Sequence, residues 1–350
     1  MNIRLTCIAV FVLWTIGMTT GDTLHFKDGK EWEDISNTPD GRRLMAVAKF
    51  KQLISFGDVK SALDELVNIK KEHPEIAGPD FDTFVEAEFL LADGKWFEAV
   101  RKYDALLDGW PNSWLYETAL ERNYSMAVSF LNGQKRKVLK MIKLSAFDEG
   151  ETMMRKIADR AGDAPIAQRA LVALAKAYQK KGGFLDAYEV WAEISSRWPT
   201  GQIGQTALLE MAQSLHSAYT SPDYDHTSLV SAKTYYTNYK LRYPQLAEDQ
   251  EINEKLRTIE EQLAYKQYST GEYYDRTGST EAAMLYYRQV LEMWPDTKAG
   301  QMAKARITAA ESGIPLRETS PHKIRRQLFD ASTAFVDSWF GAKYLTGGSN

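Results

Sequence analysis

The side chains best suited to holding a metal in this sequence are Asp223, Asp225 and His226, two carboxylates and an imidazole within the stretch Ser221-Pro-Asp-Tyr-Asp-His-Thr-Ser228. A structural zinc site needs four such donors, and a catalytic one needs three plus an open position. No fourth ligand accompanies these three, so the stretch reads as a solvated loop. The other histidines, His25, His73, His216 and His322, are scattered. There is no Gly-rich phosphate loop, no His-Glu-x-x-His, no Gly-x-Ser-x-Gly and no paired cysteine motif. Acidic runs such as Glu248-Asp-Gln-Glu251 and Glu260-Glu261 read as solvated helix faces. The expectation is a protein with no catalytic residue, no cofactor and no metal, which works by binding.

The groups suited to binding are aromatic. Tyr235-Tyr236, Tyr273-Tyr274 and Tyr286-Tyr287 are adjacent pairs, and two neighbours on a helix cannot both face one core. One member of each pair is left for a second surface, either a groove that takes extended peptide segments or the contact to a neighbouring repeat. Tyr178, Tyr235, Tyr273 and Tyr286 are the candidate groove residues, since rings left partly exposed give contact area at low entropic cost.

The elements that position these rings follow from a recurrence. Twelve residues before each of Pro74, Pro111, Pro199, Pro244 and Pro295 stands an alanine: Ala62, Ala99, Ala187, Ala232 and Ala283. Four residues after each alanine come Leu66, Tyr103, Trp191, Tyr236 and Tyr287, and seven after it Ile69, Leu106, Ile194, Tyr239 and Val290. Small, apolar, apolar at i, i+4, i+7 is one stripe of a helix, with the small residue where another helix approaches closely. Gly57, Gly94, Gly182 and Gly278 lie five residues before the alanine in four units. They mark the turn from a preceding helix, whose own positions are Leu53, Leu90, Tyr178 and Tyr274, with small Ala87, Ala175 and Gly271.

This is the tetratricopeptide pattern of helix–turn–helix units. A sixth, degenerate unit fits between Pro111 and Pro199 through Met153, Ile157 and Pro165, with Arg160 breaking the rule, and Ser221–Ser228 reads as an insertion in the fifth. The predicted fold is all-α, a right-handed solenoid of about five to six helix pairs over residues 41–313. The only strand expected is a short hairpin within 22–40, around Asp28-Gly29 with Phe26 and Trp32 flanking the turn. Residues 314–350 are expected to hold an amphipathic helix carrying Ile324, Leu328, Phe335 and Trp339, which caps the array or binds a partner, and a flexible tail.

Met1–Gly21 reads as a secretory signal, with Arg4, an apolar stretch from Ile8 to Ile16, and small residues at Thr19-Thr20-Gly21. The apolar run is short for a membrane span. The single cysteine, Cys7, lies inside the signal, so no disulfide and no acylated cysteine are expected after export. Losing Arg4 from 43 basic residues leaves 42 against 47 acidic, a formal charge of −5. That offers no net basic field for nucleic acid or anionic lipid.

Residues 167–310 carry a closer resemblance. Ala207–Ala218, an insertion, Ala232–Pro244 with Tyr235-Tyr236, Leu263-Ala-Tyr-Lys-Gln-Tyr268, Tyr273–Gly278, Ala282-Ala283, Tyr286-Tyr287-Arg288 and Val290–Pro295 resemble the outer-membrane assembly lipoprotein family BamD, also called YfiO. An aromatic or histidine precedes every well-formed repeat proline, at His73, Trp110, Trp198, Tyr243 and Trp294, similar to the Tyr-Pro ending of that family. The resemblance implies a periplasmic, non-enzymatic scaffold that binds envelope proteins, among them the β-barrel assembly subunit. A general repeat adaptor of another envelope complex, such as the partner of the Tol–Pal system, shares much of the pattern. The chain departs from the family in its missing lipobox cysteine, its N-terminal hairpin and its long C-terminal tail.

Overall fold

A computed structural model of the chain describes residues 24–27, 31–34, 37–133, 135–139 and 142–313. The expected signal, the Asp28-Gly29 turn and the segment bearing Ile324, Leu328, Phe335 and Trp339 lie outside the described residues. Strands β1 (Leu24–Lys27) and β2 (Glu31–Asp34) pair antiparallel, with Phe26 opposite Trp32. Helices follow: α1 (Pro39–Ser55), α2 (Val59–Glu72), α3 (Pro79–Ala92), α4 (Trp96–Gly109) and α5 (Tyr116–Leu131). Strands β3 (Lys135–Leu139) and β4 (Ile142–Ser145) interrupt them. The helices resume with α6 (Phe147–Ala161), α7 (Pro165–Lys181), α8 (Phe184–Arg197), α9 (Gly201–Ala218), α10 (Thr227–Arg242), α11 (Pro244–Asp249), α12 (Ile252–Arg276), α13 (Thr280–Met293) and α14 (Lys298–Ser312).

Both ends of each repeat turn have a local cause. The first helix stops at a glycine held in the left-handed region, φ +71° at Gly94 and +84° at Gly182, where a side chain would be strained. The next amide reaches back five residues, Lys95 N–H to Leu90 O and Gly183 N–H to Tyr178 O, while the glycine amide bonds Leu91 O and Gln179 O. These are Schellman closures, and the same pair of bonds recurs at Asp58 and Ser279. The second helix stops because the residue before a proline is pushed out of the helical region. His73, Trp110, Trp198, Tyr243 and Trp294 all leave it at φ near −135°, and each still donates its amide to the carbonyl four residues back.

The chain divides into two compact units between Asn123 and Tyr124, within α5. In the first, α1 packs on α2, α2 on α3 and α3 on α4. Its core is aromatic: Phe50 meets Phe84 edge-on at 5.6 Å, and Phe84 meets Tyr103 at 5.5 Å. In the second, α6 packs on α7, α7 on α8, α8 on α9, α9 on α10, α10 on α12, and α12 on both α13 and α14. The five repeat alanines are buried, as are the residues four and seven positions after them. Burying each large aliphatic or Phe-sized side chain of that stripe contributes on the order of 1.5–3 kcal/mol. Trp294 packs against two neighbouring clusters, one containing Tyr236 and Ile259 and the other Tyr287 and Ala303, and so joins consecutive repeats.

The degenerate unit is built from α5 and α6. Met153 and Ile157 are buried on α6, and Pro165 opens α7. Gly150 lets α6 come close to α5: a Cβ there would lie 3.1 Å from Ala127 O and from Leu131. The hairpin between these helices corrects the expectation that strand is confined to the N-terminus. Val138, Leu139, Ile142 and Leu144 stand at close spacing past Gly133, a β-branched and apolar run that pairs as a short antiparallel ladder. The loop containing Asp223 joins α9 to α10.

Candidate functional site

The four candidate tyrosines occupy three places. Tyr178, near the end of α7, is buried, with its ring edge-on to Phe147 of α6 at 5.3 Å. Burial and a hydrogen bond with Glu151 raise its hydroxyl pKa. Tyr235 is half-buried on α10, and its hydroxyl lies 3.0 Å from that of Tyr188 on α8, bridging the second helices of consecutive repeats. The shared hydrogen bond and burial push Tyr188 up to about 12. Tyr273 and Tyr286 come together through Tyr274, edge-on to the first at 5.6 Å and stacked on the second at 5.4 Å. Tyr273 is 56% exposed. On α13, Leu285 and Met293 are also exposed, at the eight-residue spacing that keeps them on one face. Of the four tyrosines, Tyr273 and Tyr286 belong to one accessible strip, whereas Tyr178 and Tyr235 pack one repeat against another.

A second feature lies on the first helices of the pairs and escapes the repeat pattern. Gln179 of α7 donates to Glu210 Oε2 at 2.8 Å and to Ser214 Oγ at 3.1 Å, both on α9. His216 of the same helix lies 3.0 Å from Gln262 Oε1 on α12 and edge-on to Tyr236 at 6.1 Å. Arg306 of α14 donates to Tyr268 Oη at 3.3 Å and pairs with Glu272 at 3.7 Å, both on α12. A row of polar side chains thus crosses from α7 to α14. In the first unit, Arg122 of α5 grips the fully buried Glu88 of α3 with two bonds of 2.7 and 2.6 Å. Tyr103 adds a third bond at 2.5 Å.

Glu88 to Arg122 and Glu272 to Arg306 are each 34 residues apart, one repeat period. Both acids directly follow the small residue of a first helix, Ala87 or Gly271. That dipeptide, with an arginine one period later, is the sequence signal for these links.

Burial tunes the titratable groups of this row. Burial raises the Glu210 carboxyl above its ordinary range, with Gln179, Lys176 and Lys255 opposing that shift. Burial lowers His216 to about 4 and Lys255 to about 8. The Tyr236 hydroxyl has no hydrogen-bond partner among the described residues, and burial beside the Glu210 charge raises its pKa well above normal. Among the described residues no three His, Cys, Asp or Glu side chains gather in a metal-holding group. In the loop, Asp223 accepts from Ser221 at 3.1 Å, while Thr227 holds the Asp225 carboxyl below its ordinary value.

Paired helices, Schellman glycines and pre-proline stops at repeat spacing define a tetratricopeptide-type repeat protein. The family model described as YfiO, outer membrane lipoprotein, matches residues 137–323. The chain belongs to that family. The C-terminal part of a TPR repeat-containing protein from Cytophaga hutchinsonii is similar at 15% identity and a TM-score of 0.35, covering 76% of this chain and 88% of that one. No curated protein matches the sequence.

Proposed function

We propose that this chain is an exported, non-enzymatic scaffold of the periplasm that acts in the assembly of outer-membrane β-barrel proteins, bound to the membrane periphery through its partners. The observation that carries this reading is the family match, which spans the helices bearing the polar row and the Tyr273–Tyr274–Tyr286 strip. The strip supplies amphipathic rings and the row supplies amide, carboxyl and hydroxyl groups, a combination suited to an extended peptide. Capture from the native envelope in mild detergent tests the assignment. Recovery of the barrel-assembly subunit supports it, and recovery of Tol–Pal components in its place replaces it with the general-adaptor reading.

A further inference from the structure

Helix α14 stands where the first helix of a further pair belongs. Its Arg306 lies one period after Glu272 of α12, and it ends at Gly313 with φ +68°. Left-handed glycines likewise follow α1, α3, α7 and α12, at Gly57, Gly94, Gly182 and Gly278. Among the described residues no second helix follows α14. On α12 the side that takes the second helix is explicit. Gln267 bonds Gln289, Tyr274 stacks on Tyr286, and a Cβ at Gly271 would lie 2.7 Å from Tyr287, all three partners being on α13. One period later these positions are Gln301, Thr308 and Ala305 of α14, and all three are exposed. The contrast is sharpest at the small residue: Ala87, Ala175 and Gly271 are buried in complete pairs, whereas Ala305 is open.

The chain that follows supplies the occupant. The family match runs to residue 323, past the end of α14. The sequence continues for 37 residues after Gly313, and the second helices α2, α4, α8 and α13 take 14 each. Leu328, Ala331, Phe335 and Trp339 stand at helical spacing in that sequence. Ala331 followed by Phe335 repeats the small-then-aromatic step of Ala99 to Tyr103, Ala187 to Trp191, Ala232 to Tyr236 and Ala283 to Tyr287. The longer turn this requires has a counterpart at residues 219–226, which separate α9 from α10. A short tether also gives this segment an effective concentration on the order of millimolar, above what a second copy or a separate partner reaches at ordinary protein levels. We infer that residues 321–340 fold back as the second helix of α14 and close the array, Phe335 seated on Ala305 as Tyr287 sits on Gly271. The antiparallel register of α12 and α13 then sets Leu328 beside Ser312 and Trp339 beside Gln301. The contact is independent of which protein the helical array binds.

Cross-linking and hydrogen exchange on the full chain test this. In a Cys7→Ser background, Gln301→Cys with Ser338→Cys should be joined within one chain by a short bis-maleimide, at a yield independent of protein concentration. Leu328→Asp with Phe335→Asp should abolish that product and speed amide exchange of α14 about tenfold or more, while α7 to α10 exchange as in the parent. Ala305→Trp should speed α14 likewise, by occupying the seat of Phe335. A cross-link that forms only between chains assigns the face to a second copy and overturns the proposal. So does α14 exchange untouched by the two aspartates, which would leave the face to a different protein.

Discussion

The link between Glu88 and Arg122 sets a quantitative expectation. The carboxylate is fully buried and takes two guanidinium bonds and one from Tyr103, while the arginine side chain is 7% exposed. Removing one partner leaves the other charged, desolvated and unpaired, which costs about 3–5 kcal/mol. Glu88→Gln and Arg122→Met are therefore each expected to destabilise the first unit by that amount. The double variant removes both charges together, so its cost should fall well short of the sum and leave a coupling of about 2 kcal/mol or more. Glu272 and Arg306 repeat the spacing, but at 3.7 Å with side chains 18% and 31% exposed, where water screens the pair. The same cycle there should give under about 1 kcal/mol. Because a repeat array can unfold in segments, urea melts should be read with hydrogen exchange of peptides from α3 to α5 and from α12 to α14. Additive effects at Glu88 and Arg122, or equal coupling at both places, would refute the argument that burial distinguishes the two links.

Gly271→Ala would put a Cβ 2.7 Å from the Tyr287 ring, and overpacking of this kind costs about 1–3 kcal/mol, measurable as a lowered melting temperature. Gly300→Ala meets backbone at 2.1 Å, at Trp294 O, and should destabilise α14 more strongly than Gly271→Ala destabilises α12, as read by hydrogen exchange of the two helices. His216 is depressed to about 4 in the folded protein, so the unfolded chain binds the extra proton between about pH 6.5 and 4. Stability is expected to fall by about 3 kcal/mol as pH drops through that window, and His216→Gln should remove that slope in pH-dependent urea melts. Tyr273→Ala with Tyr286→Ala should weaken capture of an envelope partner at nearly unchanged helical content. Tyr178→Ala should instead lower stability by about 3–5 kcal/mol, since its ring is packed against Phe147.

The sequence alone determined the repeat. Local chemistry writes it: the Schellman glycine, the pre-proline stop and the alanine stripe each act through residues at fixed short offsets, so a single chain displays them. The family resemblance was legible for the same reason, since its carriers are the repeat residues themselves. What each aromatic does was decided by tertiary structure. Tyr178 and Tyr274 share one repeat position, yet one lies against Phe147 and the other stacks in an accessible strip, because the neighbouring helices differ. The polar row depended on pairing across helices: Gln179 meets Ser214 and His216 meets Gln262 only once the first helices are laid side by side.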